Sequence, residues 1–159
     1  MERSAEAGAD DRRREPDGGP SPDRIEYNDE SRELSAAECW DVLGTSGIGH
    51  LASRSRVVGV DIVPINYLAV NHQLFFRSGP GSKMENLAAH PHVAVQVEHF
   101  QDGSWFSVVV KGKAVRMAAD ATIESSGIQE LVPAQPGEKL NYVCITPDEM
   151  TGRTFVPRS

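Results

Sequence analysis

The sequence predicts a mainly β domain with short helices, arranged as a six-stranded antiparallel barrel. Three observations lead there. From Gly47 onward, segments rich in Val, Ile, Phe and Tyr follow one another, as strands do. The links between most of them are short and carry Asn, Asp or Gly, which joins neighbours as hairpins rather than through helical crossovers. Closing such a run of hairpins into a barrel disposes of exposed strand edges.

The elements follow in order. Leu34-Ser35-Ala36-Ala37-Glu38 is a capping box, with Ser35 as N-cap, Glu38 three residues on and Leu34 as the hydrophobic staple. Cys39, Trp40 and Leu43 fall at helical spacing, and Gly44 stops the helix. Trp40 on that face is expected in the core. Gly47 to Ser53 reads as a strand, Arg54-Ser55-Arg56 as a turn, and Val57 to Val70 as a long strand. Pro64 inside it removes a ladder donor and should mark an edge, a bulge or a corner. Asn71-His72 is a tight turn, and Leu74 to Ser78 pairs back. Gly79-Pro80-Gly81 breaks that strand, and a helix runs from near Ser82-Lys83 to His90-Pro91. His92 to Phe100 alternates, Gln101-Asp102-Gly103 turns, and Trp105 to Met117 is another long strand. A short helical stretch is expected around Ala119 to Ser126 and a loop from Ile128 to Glu138. Leu140 to Ile145 and Thr154 to Val156 complete the strands.

Charge places the boundary. Residues 1–33 carry six Lys/Arg and eleven Asp/Glu, most of the chain's net charge of -7. They hold Pro16, Pro20, Pro22 and Gly18-Gly19, with almost no large apolar residue before Ile25. Such a segment buries too little surface to offset its ordering entropy, so 1–33 is expected to be a disordered acidic tail and 34–159 the folded domain. An acidic chain with no concentrated basic stretch is a poor nucleic-acid binder. No apolar run is long enough for a membrane span, and the acidic start is not a signal peptide. Two cysteines, Cys39 and Cys144, make neither a disulfide scaffold nor a four-cysteine zinc site, so a cytoplasmic setting is expected.

Three stretches carry candidate chemistry. In Phe76-Arg77-Ser78-Gly79-Pro80-Gly81-Ser82-Lys83 a strand gives way to a glycine-rich loop and a helix start. Helix starts present unpaired N–H groups and partial positive charge; with Ser82 and Lys83 they make a phosphate cradle. The spacing fits neither a P-loop nor a dinucleotide fingerprint, and a plain surface loop with a capping Ser82 is an equal reading. In Val63-Pro64-Ile65-Asn66-Tyr67 the proline interrupts pairing and leaves backbone groups for a flat, polar-edged ligand, although a tolerated edge proline explains it as well. In the strand that opens Ser104-Trp105-Phe106-Ser107, Trp105 and Ser107 share a side, where Trp105 stacks on a ligand, fills an interface or sits in the core. His90-Pro91-His92 lacks further ligands for a metal, and no Gly-x-Ser-x-Gly elbow supports a hydrolase.

With these stretches in order, the sequence resembles the pyridoxamine 5′-phosphate oxidase-related, FMN-binding split-barrel proteins, nearest to their small actinobacterial and nitroimidazole-resistance-like members. The resemblance runs from about Leu34 to Arg153. It rests on Gly49-His50-Leu51-Ala52, Val63 to Tyr67, Phe76-Arg77-Ser78, Gly81-Ser82-Lys83, Pro91-His92-Val93-Ala94 and Trp105 to Ala114. Ile145-Thr146-Pro147-Asp148 and Thr151-Gly152-Arg153 also fit.

It implies a split barrel that forms homodimers with flavin sites at the subunit interface. Lys83, beside Ser82, maps onto the phosphate-binding lysine. Val63, Pro64, Ile65, Asn66 and Tyr67 map onto the strand edging the isoalloxazine ring, largely through backbone. Arg77 and Ser78 map onto the ribityl or phosphate contacts, with Phe76 beside them among the cofactor-binding positions. Trp105 and Ser107 map onto a strand that reaches the cofactor from the partner subunit. The oxidase's fuller Ser-Arg-Lys run and its C-terminal Arg-x-His element are missing here, which argues against vitamin B6 oxidation and leaves FMN or deazaflavin F420 as cofactor. The expected function is a flavin-dependent two-electron redox reaction on a small molecule, with no side chain assigned as catalytic. The alternative class is a non-catalytic module holding flavin or haem.

Overall fold

The computed structural model describes residues 31–79, 81–117, 127 and 141–156. The elements are β1 (Arg32–Glu33), α1 (Ala36–Leu43), β2 (Ser46–Ser55), β3 (Gly59–Val70), β4 (Gln73–Ser78), α2 (Ser82–Ala89), β5 (His92–Gln101), β6 (Ser104–Arg116) and β7 (Asn141–Phe155). The strand order β7-β4-β3-β2-β5-β6 closes on itself through a β6–β7 pairing, and every pairing is antiparallel. This is the six-stranded barrel expected from the sequence. β1 adds two residues to the outer edge of β7, Arg32 opposite Thr154 and Glu33 opposite Arg153. Among the described residues, the first strand thus lies two residues before the sequence boundary at 34. The expected helical stretch at 119–126 and loop at 128–138 lie outside the described residues, as do residues 1–30.

Hairpin chemistry closes the tight turns. Asn71 and His72 both have positive φ, 50° and 59°, and so do Asp102 and Gly103, 51° and 78°. Paired positive φ values match the right-handed twist of the flanking strands. The first hairpin differs from the sequence reading. β2 runs on to Ser55, and Val57 and Val58 form the turn, where Val57 is 91% exposed. The Ser55 hydroxyl accepts hydrogen bonds from the Val57 and Val58 N–H groups at 3.2 and 3.4 Å. That local bond overrides the β propensity of the two valines.

The C-terminal strand is the other correction: 141–155 is one strand rather than two. Pro147 sits at a β-bulge, where pairing steps from Lys111 opposite Glu149 to Gly112 opposite Pro147 and leaves Asp148 as the extra residue. The backbones approach so closely that a Cβ on Gly112 would overlap the Thr146 carbonyl. Gly152 lets the Leu34–α1 segment approach. Its carbonyl accepts the Leu34 N–H at 2.9 Å, and a Cβ there would lie 2.6 Å from Cys39 Sγ.

The core fills the barrel with Leu51, Tyr67, Leu74, Phe76, Val95, Val108, Val110, Val143 and Ile145, all essentially inaccessible. Cys39 and Leu43 of α1 and Leu87 of α2 extend it. The capping box of α1 is present as read: Glu38 N–H donates to Ser35 Oγ at 3.2 Å and Ser35 N–H to Glu38 Oε2 at 2.8 Å. Arg32 also grips the Glu38 carboxylate in a fork, at 2.8 and 3.1 Å. Trp40 is only partly buried; it packs against the core and stacks on His72 with ring centroids 4.9 Å apart.

Candidate functional site

The loop between β4 and α2 sets the first part of the site. Gly81 is the N-cap of α2 with φ of 146°, a conformation that L side chains rarely adopt, and no side chain caps the helix. Ser82 and Lys83 are its first residues, so the sequence-level alternative in which Ser82 acts as the cap does not hold. The first N–H groups of a helix lack intrahelical acceptors and carry partial positive charge. Lys83 is half-buried beside them. Arg77, the last outward-facing residue of β4, lays its guanidinium over the Tyr142 ring at 5.6 Å from the centroid. The other two residues of that trio turn inward. Phe76 is fully buried, and buried Ser78 donates its hydroxyl to the Gly79 carbonyl at 3.3 Å. Only the backbones of Phe76 and Ser78 are placed to meet a ligand on the outer face.

β3 sets the second part. Alternation divides its five candidates. Ile65 and Tyr67 are buried and Val63 packs against the core, while Pro64 and Asn66 are exposed on the outer face. The Tyr67 hydroxyl donates to the Leu43 carbonyl at 2.7 Å in the interior. Burial pushes its pKa up. β3 pairs with β2 from Gly59 to Leu68 but with β4 only from Tyr67 to Val70. Among the described strands, the stretch through Val63–Asn66 therefore has one open edge, and Pro64 lies on it. An open edge offers N–H and C=O groups to a ligand, and the proline removes one donor from that row.

Trp105 and Ser107 form a separate set. Both are partly exposed on β6. Trp105 tilts against Phe100 at 5.4 Å, and Ser107 Oγ accepts from Gln96 Nε2 at 3.4 Å. The order β3-β2-β5-β6 places them three strands from Asn66, about 14 Å along the sheet. Ser107 lines a groove of about 510 Å³ with Glu33, Val109, Thr151, Arg153 and Phe155. One protomer thus carries Pro64 and Asn66 on the outer face of β3, Arg77 on the neighbouring β4 and Lys83 at the start of the helix that follows it, and leaves Trp105 and Ser107 three strands from Asn66.

Two features were absent from the sequence-level list. Ile48, Val60 and Ile62 are 64–67% exposed on the outer face of β2 and β3. His50, also exposed on that face, lies directly opposite Pro64 on one side and Gln96 on the other. Only the strand register could have found it. Both thiols have pKa values raised by burial, Cys39 in the core and Cys144 on β7, which leaves neither activated.

A family model described as pyridoxamine 5′-phosphate oxidase matches residues 35–154. A solved structure named for the same oxidase, from Corynebacterium glutamicum ATCC 13032 Kitasato, is 28% identical, with a TM-score of 0.69 over 80% of this chain and 99% of that one. The FAD-binding protein from Mycobacterium smegmatis is 28% identical, with a TM-score of 0.67 over 80% of this chain and 100% of that one. A 5-nitroimidazole antibiotic resistance protein from Bacteroides thetaiotaomicron VPI-5482 shares the fold at 16% identity, with a TM-score of 0.60 over 79% of this chain and 89% of that one.

Proposed function

Because this chain belongs to the pyridoxamine 5′-phosphate oxidase family, we propose that it is a flavin-dependent oxidoreductase that binds FMN and acts on a small molecule. The observation that carries the reading is the junction of β4 and α2. There a glycine at φ of 146° and an uncapped helix start, with Lys83 in its first turn, follow directly on β4, which carries Arg77 and pairs with β3 where the open edge of β3 ends. That donor set suits a phosphate at one end and a flat, polar-edged ring along the other.

Each residue then has a physical task. The α2 N–H groups and Lys83 neutralise the phosphate, and Arg77 extends the positive field along the ribityl arm. The backbone of Val63–Asn66 hydrogen-bonds the ring's polar edge, with the Asn66 amide beside it. Bound flavin supplies two-electron chemistry; the protein positions it and shapes access to its open face. Trp105 and Ser107 complete the site from a second copy, because within one protomer they stand too far away. The exposed Ile48, Val60 and Ile62 give that copy an apolar surface to cover, and a two-fold arrangement would build two equal sites.

The test is to identify by mass spectrometry the small molecule that co-purifies, with native mass for the subunit count. FMN in a dimer is the expected result; FAD or F420 would keep the site and change the cofactor. Lys83→Ala removes a charged partner worth about 1.5–3 kcal/mol, so FMN affinity should fall about 10- to 100-fold with the fold intact. Unchanged affinity would overturn the phosphate assignment.

A further inference from the structure

We propose that the substrate is a flat molecule without net charge, held in the groove along β6, β7 and β1. This rests on the reading that the flavin ring lies along the open edge of β3 and that Ser107 reaches it from a second copy. The order β3-β2-β5-β6 has its midpoint between β2 and β5. A two-fold axis running there, parallel to the strands, sets β3 of one copy over β6 of the other. The open edge of that β3 then falls beyond β6, over β7, which is where the groove lies. Register fixes the level. Pro64, His50, Gln96, Val109 and Thr151 form one row across the five strands, so such an axis keeps Pro64 level with Val109 and Thr151. The groove volume of about 510 Å³ suits a small organic molecule.

The chemistry of the groove follows from its pairings. Ser107 faces Arg153, Val109 faces Thr151, and β1 sets Glu33 opposite Arg153 from the other side. The charges here meet each other. Arg153 Nη2 lies 3.3 Å from Glu33 Oε1. One pair beyond Val109, Lys111 Nζ lies 3.6 Å from Glu149 Oε1. Beside Glu33, the Arg32 guanidinium holds the Glu38 carboxylate. These three pairs are each neutral. Glu98, opposite Ser107 on β5, accepts from Gln96 Nε2 at 3.0 Å and adds negative charge to the rim.

Ion pairs as exposed as these contribute little in water. Under a second copy they lose part of their hydration, and a charge that then loses its partner is costly. A carboxylate or phosphate in the groove would draw Arg153 away from Glu33 and stand near Glu98. A cation would draw Glu33 away from Arg153. A neutral molecule disturbs neither. It can rest an apolar body on Val109 and Phe155 and exchange hydrogen bonds with the Ser107 and Thr151 hydroxyls, which both donate and accept. A body held between a flavin ring and a sheet face is flat. The substrate class is therefore uncharged planar compounds with a hydrogen-bonding edge, and phosphate esters fall outside it.

The test uses the full chain loaded with FMN. Equilibrium dialysis at neutral pH compares naphthylmethanol, naphthoate and naphthylmethylammonium, all substituted at the same position, so that one flat body carries no charge, a negative charge or a positive charge. The alcohol should bind at least about tenfold more tightly than either ion, because an ion gives up hydration without gaining a counter-charge. Glu33→Gln then leaves Arg153 without its carboxylate. Naphthoate should tighten about 3- to 10-fold in that variant, while the alcohol stays within about twofold. Glu33 is 81% exposed, so the variant should fold and keep its FMN, as melting temperature and flavin absorbance check. If wild type binds no FMN, the functional reading fails and this proposal falls with it. If FMN binds but the alcohol does not, or an ion binds as tightly as the alcohol, or Glu33→Gln leaves naphthoate unmoved, this proposal alone is overturned.

Discussion

Tyr67→Phe separates what β3 does for the fold from what it does for a ligand. The hydroxyl sits in the interior, 2.7 Å from the Leu43 carbonyl, and both residues are 1% exposed. Leu43 ends α1, so its carbonyl is among those that a helix cannot satisfy internally. Little room exists for a replacement water: a Cβ on Gly47 would already lie 2.8 Å from the hydroxyl oxygen. Removing the hydroxyl leaves a buried acceptor unpaired, at a cost of about 1–3 kcal/mol. For a domain of this size that is a melting temperature lower by about 4–12 °C. Urea unfolding should show a lower midpoint at unchanged slope. Flavin affinity should not change, because this side chain points away from the outer face. Asn66→Ala is the mirror experiment. It alters an exposed residue, so stability should stay within about 0.5 kcal/mol, while loss of one neutral hydrogen bond weakens flavin binding about 2- to 12-fold. A Tyr67→Phe protein as stable as wild type would refute the buried bond. Loss of flavin from that variant, with Asn66→Ala unaffected, would refute the assignment of faces.

Two further perturbations test the scaffold. Gly112→Ala pushes a methyl group into the Thr146 carbonyl at the β6–β7 bulge and should cost at least the 1–3 kcal/mol, roughly, of an overpacked core, read by chemical denaturation; a neutral result would mean that the bulge is not formed as described. Acid should loosen the start of the domain. The Glu38 carboxyl is held down from 4.5 to about 2, first by its hydrogen bond from Arg32 and then by the Ser35 N–H. A depressed carboxyl stabilises the fold above its unfolded value and loses that contribution as pH falls through 4.5 towards 2. Hydrogen exchange at α1 should therefore accelerate across that window, and Glu38→Gln should remove the dependence.

The parts of this fold that were legible in the sequence are those set by neighbours in the chain. The Ser35–Glu38 box, the Asn71-His72 and Asp102-Gly103 turns and the alternation of Val93, Val95 and Val97 all depend on contacts within a few residues. The continuity of β7 does not. Pro147 and Gly152 are strand breakers by every local rule. They are tolerated because β6 supplies a bulge opposite one and the Leu34–α1 segment needs the space beside the other. Val57 and Val58 fail in the opposite sense: their propensity is for strand, but the Ser55 hydroxyl makes them a turn.

The same distinction runs through the site. Gly81-Ser82-Lys83 could be read because a loop entering a helix is a local event. Val63 to Tyr67 could be read as a segment, but a strand offers its side chains to opposite faces in turn, so five consecutive residues cannot all meet one ligand through side chains. The parity is fixed by the tyrosine. Once its hydroxyl is committed to Leu43, Ile65 goes inward with it, and Pro64 and Asn66 are left outside. That choice also sets His50 on the outer face, because register carries parity from one strand to the next. A single-residue slip between β2 and β3 would put Gly49 or Leu51 opposite Pro64 and bury the imidazole in the barrel. His50 is therefore a consequence of pairing at a distance, which no motif around Gly49-His50-Leu51-Ala52 states by itself.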